Sequence, residues 1–273
     1  MPIAKLFVEG DLEIQSLNPI LLGNPVLQKG GSKNTLKARA GTERRENLVS
    51  SGYLRDRDFD FDPPTDLTKP TLDSHFGGTT DPLGWRWCRH ETENYLIDPV
   101  VVTEATGWNI NECKDAIRDA ATRIRDYEVA RWTIGIVRRA LPPHFELRTR
   151  PDGLNEIALP ASLAAADVHS WASHSIAAHR APMVAATDPA SIQKAVVELT
   201  AKFDNAFLAD TDGVLIWFSG KDLLAALSGW LVARGIVNSG AFRATIRDWI
   251  IANPTRALQL LPEWDGLVQA VRA

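Results

Sequence analysis

Four acidic residues lie just after apolar segments that the sequence predicts to be β-strands: Glu9, Asp56, Asp58 and Glu93. Ligands of open α/β sheets bind outside the carboxyl ends of the strands, so these side chains are expected to converge from distant positions. Carboxylates a few ångströms apart repel one another unless a cation neutralises them. Hard oxygen ligands of this kind suit Mg²⁺ or Mn²⁺, so the pattern predicts a divalent-metal site.

The spacing of Asp56 and Asp58 strengthens this prediction. Alternate residues of an extended strand end point to the same side, which lets both carboxylates reach one metal pair. Asp60 and Asp62 continue the alternation and are predicted to be outer ligands. Each acid taken alone could equally cap a helix or lie on a loop, but the four strand-end acids together favour the metal site.

Lys221 is the predicted cationic partner of this site. It follows an apolar segment, 213–218, and Gly220, and it opens a predicted helix. Its positive charge could face a phosphate, and the alternative is a solvated lysine near a helix start. The upstream glycines of a Walker motif are missing, so the sequence does not predict ATP hydrolysis.

Segment 29–45 is strongly basic although the whole chain carries a formal charge of -4. Such a local cluster predicts a patch that binds nucleic-acid phosphates, and the alternative is a solvated helix face. The single acid of the segment is Glu43. The predicted phosphate-binding residues are Lys29, Lys33, Lys37, Arg39, Arg44 and Arg45.

The elements that position these residues read as an α/β fold with a mostly parallel sheet. Short apolar runs predict strands at 3–8, 25–28, 52–55, 84–89 and 213–218, most of them followed by helical patterns. The proline-rich stretch 63–82 is predicted to be a surface loop. We expect three regions: 1–98 and 213–273 form the core and a helical tail, and 99–212 forms a mostly helical insert.

Composition sets further limits on the function. Of 273 residues, 45% are hydrophobic and 23% charged, which is typical of folded globular domains. No apolar run approaches the roughly 18 residues of a membrane span, and no leader pattern is visible, so a cytoplasmic protein is expected. Cys88 and Cys113 are expected to be reduced. Trp171 and Trp264 are candidate anchors of an interface, which could be that of a homodimer.

The ordered motifs resemble a known family. Phe7-Val8-Glu9-Gly10 before a helix, together with the Asp56-Arg57-Asp58-Phe59-Asp60 strand end, resembles the TOPRIM domain, a Rossmann-like metal-binding fold. With Glu91-Thr92-Glu93-Asn94-Tyr95-Leu96 and Gly220-Lys221-Asp222 added, the chain is similar to OLD-like TOPRIM proteins of PARIS-type anti-phage systems. The resemblance covers about residues 3–98 and 213–232.

The resemblance implies a role for each matching residue. Glu9 would be a metal ligand or general base, Asp56 and Asp58 would hold metal ions, Glu93 would complete a second site, and Lys221 would face the scissile phosphate. Many TOPRIM enzymes carry a further acid in the first helix. Asp11 and Glu13 are the candidates for it here.

Two classes of function follow from these observations. The first is a Mg²⁺- or Mn²⁺-dependent nuclease acting on RNA, such as tRNA, or on DNA, as a toxic defence effector controlled by a partner ATPase. The second is a regulatory module of the same fold that binds metal or nucleic acid, and a partner protein, without cutting. A topoisomerase or primase is disfavoured because the chain is too short for their companion domains.

Overall fold

The computed structural model describes residues 2–141, 162 and 164–273. The chain divides into two compact units, one formed by Met1–Glu128 with Phe203–Ala273 and the other by Val129–Lys202. Residues 142–161 and 163 of the predicted insert lie outside the described residues.

A five-stranded sheet organises the first unit, with the strand order β2-β1-β3-β5-β4. β1, β2, β3 and β5 are parallel, and β4 pairs antiparallel with β5 at the edge. This confirms the predicted α/β class with a mostly parallel, Rossmann-like sheet. The strands are β1 (Lys5–Val8), β2 (Val26–Lys29), β3 (Ser51–Arg55), β4 (Thr71–His75) and β5 (Pro82–Arg86).

The predicted strand 213–218 is wrong, because this segment forms helix α9 (Thr211–Trp217). The amide of Val214 donates to the carbonyl of Asp210 at 3.0 Å, and the amide of Phe218 donates to that of Val214 at 2.9 Å. A short apolar run fits a buried helix as well as a buried strand, and periodicity cannot separate the two.

The loop predicted for 63–82 contains a strand, β4, that the polar sequence concealed. Its Asp73 accepts a hydrogen bond from the Tyr53 hydroxyl, and the guanidinium of Arg86 contacts the same carboxylate at 3.0 Å. These partners on β3 and β5 hold an edge strand whose own apolar content is low. The strand predicted at 84–89 begins and ends earlier, as β5 (Pro82–Arg86).

Helices flank the sheet and form the rest of the first unit, so the helical C-terminal region is confirmed. They are α1 (Asp11–Leu21), α2 (Lys33–Glu46), α3 (Glu93–Leu96), α4 (Pro99–Thr106), α5 (Ile110–Ala140, which ends in the second unit), α8 (Asn205–Ala209), α9, α10 (Gly220–Ala226), α11 (Ser228–Val232), α12 (Ser239–Ala252), α13 (Pro254–Leu260) and α14 (Pro262–Arg272). The second unit contains α6 (Ala165–Ala186) and α7 (Pro189–Lys202).

An aromatic cluster packs the last helix against the segment that follows β5. Trp264 is fully buried, with its ring centroid 6.4 Å from that of Trp87 and 5.7 Å from that of Tyr95. The prediction of Trp264 as an interface anchor is therefore wrong, since its indole belongs to the core. Trp171, the other predicted anchor, is half-buried in α6.

Cys88 and Cys113 are buried free thiols. Among the residues that the structure describes, no helix combines the length and the apolar content that crossing a membrane requires.

Candidate metal centre

Two carboxylates from the two central strands meet at the carboxyl edge of the sheet. Glu9 follows β1, Asp56 follows β3, and the amide of Asp56 donates to Oε1 of Glu9 at 3.1 Å. The Asp56 side chain is only 5% exposed, and its Oδ1 accepts from the amide of Thr92 at 3.2 Å. Thr92 follows β5, so three strand ends are joined through these two acids.

The acids at this edge disfavour one another's charge. The pKa of Glu9 is raised to about 7, mainly by burial and then by the charges of Asp58 and Glu13. The hydrogen bond from the Asp56 amide opposes this rise. The pKa of Asp56 is raised well above its ordinary value, mainly by burial and then by Glu13 and Glu9. Glu13 lies on α1, where its Oε2 accepts from the Gly10 amide at 2.9 Å. A cation among these acids would relieve the repulsion.

Asp58 belongs to a second group of possible metal ligands, in addition to Glu9 and Asp56. It begins a 3₁₀ turn (Asp58–Asp60) with a φ of 48°, and its amide donates to the His90 carbonyl at 2.9 Å. One carboxylate oxygen each of Asp58 and Glu91 and one ring nitrogen of His90 lie within 4.8 Å of one another. The set of predicted ligands lacked His90 and Glu91. Their position soon after β5 was the signal that could have found them.

Glu91 anchors the start of α10 to this edge. Its Oε1 accepts from the Ser219 hydroxyl at 2.5 Å and from the Lys221 amide at 2.9 Å, and its Oε2 contacts the Lys221 ammonium. A Cβ on Gly220 would lie 2.6 Å from the amide nitrogen of Asn94, so only glycine permits this approach. Lys221 is thereby held beside the acids, and their charges raise its pKa.

Glu93 lies between two cations. Its Oε2 is 3.7 Å from Nζ of Lys221, and its Oε1 is 3.4 Å from a guanidinium nitrogen of Arg243 on α12. Burial raises the pKa of Glu93, and Lys221 opposes that rise. Sequence reasoning missed Arg243, because it is 150 residues away in a helix with no motif to mark it.

Asp60 contacts two cations. Its Oδ2 is 2.6 Å from Nζ of Lys33 and 2.6 Å from a guanidinium nitrogen of Arg55. The same Lys33 ammonium is 2.8 Å from Oδ2 of Asp58. Lys33 therefore bridges the two predicted ligands, although the sequence assigned it to a nucleic-acid patch.

The other predicted phosphate-binding residues differ in their contacts. Lys29 contacts Asp11 at 2.7 Å, and Arg44 donates to the carbonyls of Ser51 and Pro82. Lys37, Arg39 and Arg45 are exposed on α2, and the guanidinium of Arg39 donates to the carbonyl of Lys29 at 3.3 Å.

Arg57 stabilises the loop that carries Asp56 and Asp58. Its guanidinium is fully buried and donates to the carbonyls of Cys88 at 3.0 Å, Phe61 at 2.6 Å, and Ile216 of α9. Burial lowers its pKa to about 10, so the group stays charged at neutral pH. Arg57 thus connects the end of β3 to the end of β5 and to the C-terminal helices.

The donor set fits a divalent cation. Oxygen donors predominate, one imidazole is present, and the crowded acids have raised pKa values that a bound cation would lower. No protein-family model matches the sequence, and no curated protein aligns with it significantly.

Proposed function

We propose that the chain is a metal-dependent nuclease of the TOPRIM type, which hydrolyses phosphodiester bonds in RNA, tRNA included, or in DNA. The observation that carries the proposal is the direct bond between the Asp56 amide and the Glu9 carboxylate. It brings acids from two central strands together at the sheet edge where α/β proteins bind ligands. The OLD-like motifs noted in the sequence supply the reaction class.

Mg²⁺ or Mn²⁺ is the proposed cofactor. Glu9, Asp56 and Asp58 would hold it, with His90, Glu91 and Glu93 as further donors. A bound divalent ion supplies Lewis acidity, which lowers the pKa of water and stabilises charge on phosphoryl oxygens.

Glu9 has the properties of a general base. Its pKa is about 7 without metal, and a cation bound beside it would lower that pKa, so Glu9 would be ionised and able to accept a proton at neutral pH. Its Oε1 accepts the Asp56 amide, which leaves Oε2 to take a proton from the attacking water.

Lys221 contributes positive charge beside the reacting phosphate. Glu91 fixes both the amide and the ammonium of Lys221, so the side chain is positioned before a substrate arrives. An ammonium in this place would offset the negative charge that develops on the phosphoryl oxygens.

The proposed biological role is that of a toxic effector in anti-phage defence, controlled by a partner ATPase. This role depends on the resemblance to OLD-like proteins of PARIS-type systems. Residues 1–273 contain no complete Walker motif, and the proposal assigns nucleotide-driven control to a partner protein.

A second candidate function is a non-catalytic regulatory module. Its support is the network of ion pairs, in which Lys33 contacts Asp58 while Lys221 and Arg243 contact Glu93. Such a network can be purely structural. The nuclease needs metal for turnover, whereas the module cuts no nucleic acid whether or not it binds metal.

A nuclease assay tests the proposal. The purified chain is incubated with total tRNA, single-stranded RNA or plasmid DNA, in the presence of Mg²⁺, Mn²⁺ or chelator. We expect metal-dependent cleavage that Glu9→Gln and Asp56→Asn abolish. Asp81→Asn, on an exposed loop, is the matched control and should cleave like the unmodified chain. Metal-independent cleavage, or full activity of both site variants, would refute the proposed site.

Metal calorimetry covers the case in which no substrate is cut. Mn²⁺ binding without cleavage would keep the metal centre and point to an effector that needs its activating partner. Neither binding nor cleavage would favour the regulatory module.

A further inference from the structure

We infer that Lys33 competes with the metal for Asp58 and becomes a phosphate-binding group once the metal has bound. The inference rests on the proposed function and adds a binding order to it, in which metal precedes nucleic acid. It also gives Lys33 a different role from the exposed cations of α2.

The geometry places Lys33 inside the site rather than on the surface of α2. The residue is the first of that helix, and its side chain is only 23% exposed. Its ammonium reaches Asp58 at 2.8 Å and Asp60 at 2.6 Å. Asp58 also belongs to the group of possible metal ligands with His90 and Glu91.

The charges of this group are balanced. Two cations, Lys33 and Arg55, face two anions, Asp58 and Asp60. A divalent ion bound by Asp58 takes that negative charge and repels the ammonium. Lys33 then remains with Asp60, which Arg55 also neutralises, and the three residues carry a net charge of +1.

A phosphate is the natural partner for the uncompensated charge. The exposed cations of α2, Lys37 and Arg39, lie on the same helix as Lys33. A nucleic-acid backbone bound along this helix could therefore place a phosphate near Lys33. Without metal, the Lys33 ammonium is paired with Asp58 and Asp60, and the negative charge of these carboxylates repels a phosphate.

Calorimetry of Mn²⁺ binding to the full chain tests the competition. Lys33→Met removes the competitor and should tighten Mn²⁺ binding at least fivefold. Lys5→Met is the matched control, because Lys5 is a similarly enclosed lysine paired with Glu43 at the opposite end of β1. It should change the affinity less than twofold.

The outcomes separate this inference from the proposed function. If the unmodified chain binds no Mn²⁺, both are refuted. If it binds Mn²⁺ and Lys33→Met binds equally or more weakly, the competition is refuted while the metal centre stands.

Binding of a nuclease-resistant phosphorothioate oligonucleotide, followed by fluorescence anisotropy, tests the second half. With Mn²⁺ present, Lys33→Met should weaken binding at least fivefold, and with chelator less than twofold. An equal loss in both conditions would overturn the inference, since Lys33 would then contact phosphate irrespective of metal.

Asp60→Asn provides a second variant that leaves Lys33 in place. Lys33 would then depend on Asp58 alone and compete more strongly, so Mn²⁺ binding should weaken at least threefold. In a Lys33→Met background, Asp60→Asn should weaken Mn²⁺ binding less than twofold. A loss that persists in that background would contradict the competition and indicate a direct effect of Asp60.

Discussion

The Glu9 carboxylate accepts a hydrogen bond at 3.1 Å from the amide of Asp56, a residue 47 positions later in the sequence. This bond stabilises the charged form of Glu9, yet burial and the neighbouring acids still raise its pKa to about 7. Burial and the nearby acids therefore disfavour the ionised form of Glu9 at this edge of the sheet. Stability and metal binding should both depend on this effect.

The stability of the fold should depend on pH through Glu9. A carboxyl whose pKa is about 7 in the folded chain and 4.5 when unfolded binds a proton more tightly when folded. Its contribution is therefore most favourable below about pH 4.5 and is lost as the pH rises toward 7. We expect Glu9→Gln to unfold much like the unmodified chain at pH 4.5 and to be about 3 kcal/mol more stable at pH 8.

Urea denaturation between pH 4.5 and 8 measures this difference. Glu46→Gln, which removes an exposed acid from the last turn of α2, should show no such trend. A Glu9→Gln effect that is constant with pH would show that ionisation of Glu9 does not oppose folding.

Divalent metal should stabilise the folded chain. A ligand that binds only the folded state at 100 times its Kd adds about 2.7 kcal/mol, which corresponds to a rise in Tm of several degrees. We expect Mn²⁺ to raise Tm and chelator to reverse the rise. Asp58→Asn should reduce the shift by at least half, whereas Asp81→Asn should retain it.

Gly220 should tolerate no side chain. A Cβ there would lie 2.6 Å from the Asn94 amide nitrogen and 2.9 Å from the Glu93 carbonyl carbon, both of which are backbone atoms. Gly220→Ala should destabilise the fold by about 2 to 3 kcal/mol. It should also displace Lys221, so that cleavage falls even at temperatures where the variant is folded.

Gly229→Ala is the matched control. Gly229 lies in α11 (Ser228–Val232), and a Cβ at this position would have no neighbouring atom within 4 Å. Alanine favours helix more than glycine does, and the variant should be up to about 1 kcal/mol more stable. Equal unfolding midpoints for the two variants would contradict the close approach of α10 to α3.

Loss of Arg57 should damage the fold as well as the site. Arg57→Met would leave the carbonyls of Cys88, Phe61 and Ile216 without their guanidinium donor. We expect a loss of about 3 kcal/mol or more in urea denaturation. Arg45→Met, at an exposed position on α2, should stay within about 0.5 kcal/mol of the unmodified chain.

The parallel core could be predicted from sequence because each strand is marked locally. An apolar run ends at Glu9 and another at Asp56, and the carboxyl ends of parallel strands must share one edge. The segment 213–218 could not be assigned in this way, since its apolar run fits helix and strand alike. β4 was missed because its stability comes from Tyr53 on β3 and Arg86 on β5.

The cationic half of the site was harder to predict than the acidic half. Arg243 reaches Glu93 from a helix that no motif marks, and nothing local distinguishes Lys33 from the exposed Lys37. Their positions depend on how α12 and α2 pack beside the strand ends. The phosphate-binding role of the exposed basic residues stays a prediction.

The long separation between the partners of this site has a consequence during synthesis on the ribosome. Glu9, Asp56 and Glu93 emerge first, while Lys221 and Arg243 follow more than a hundred residues later. A nascent chain that stops before Ile216 carries the crowded acids without Lys221, the lysine that faces them. It also lacks the Ile216 carbonyl that accepts from Arg57. The complete arrangement therefore forms only after Lys221 and Arg243 have emerged, which would delay any nuclease activity until then.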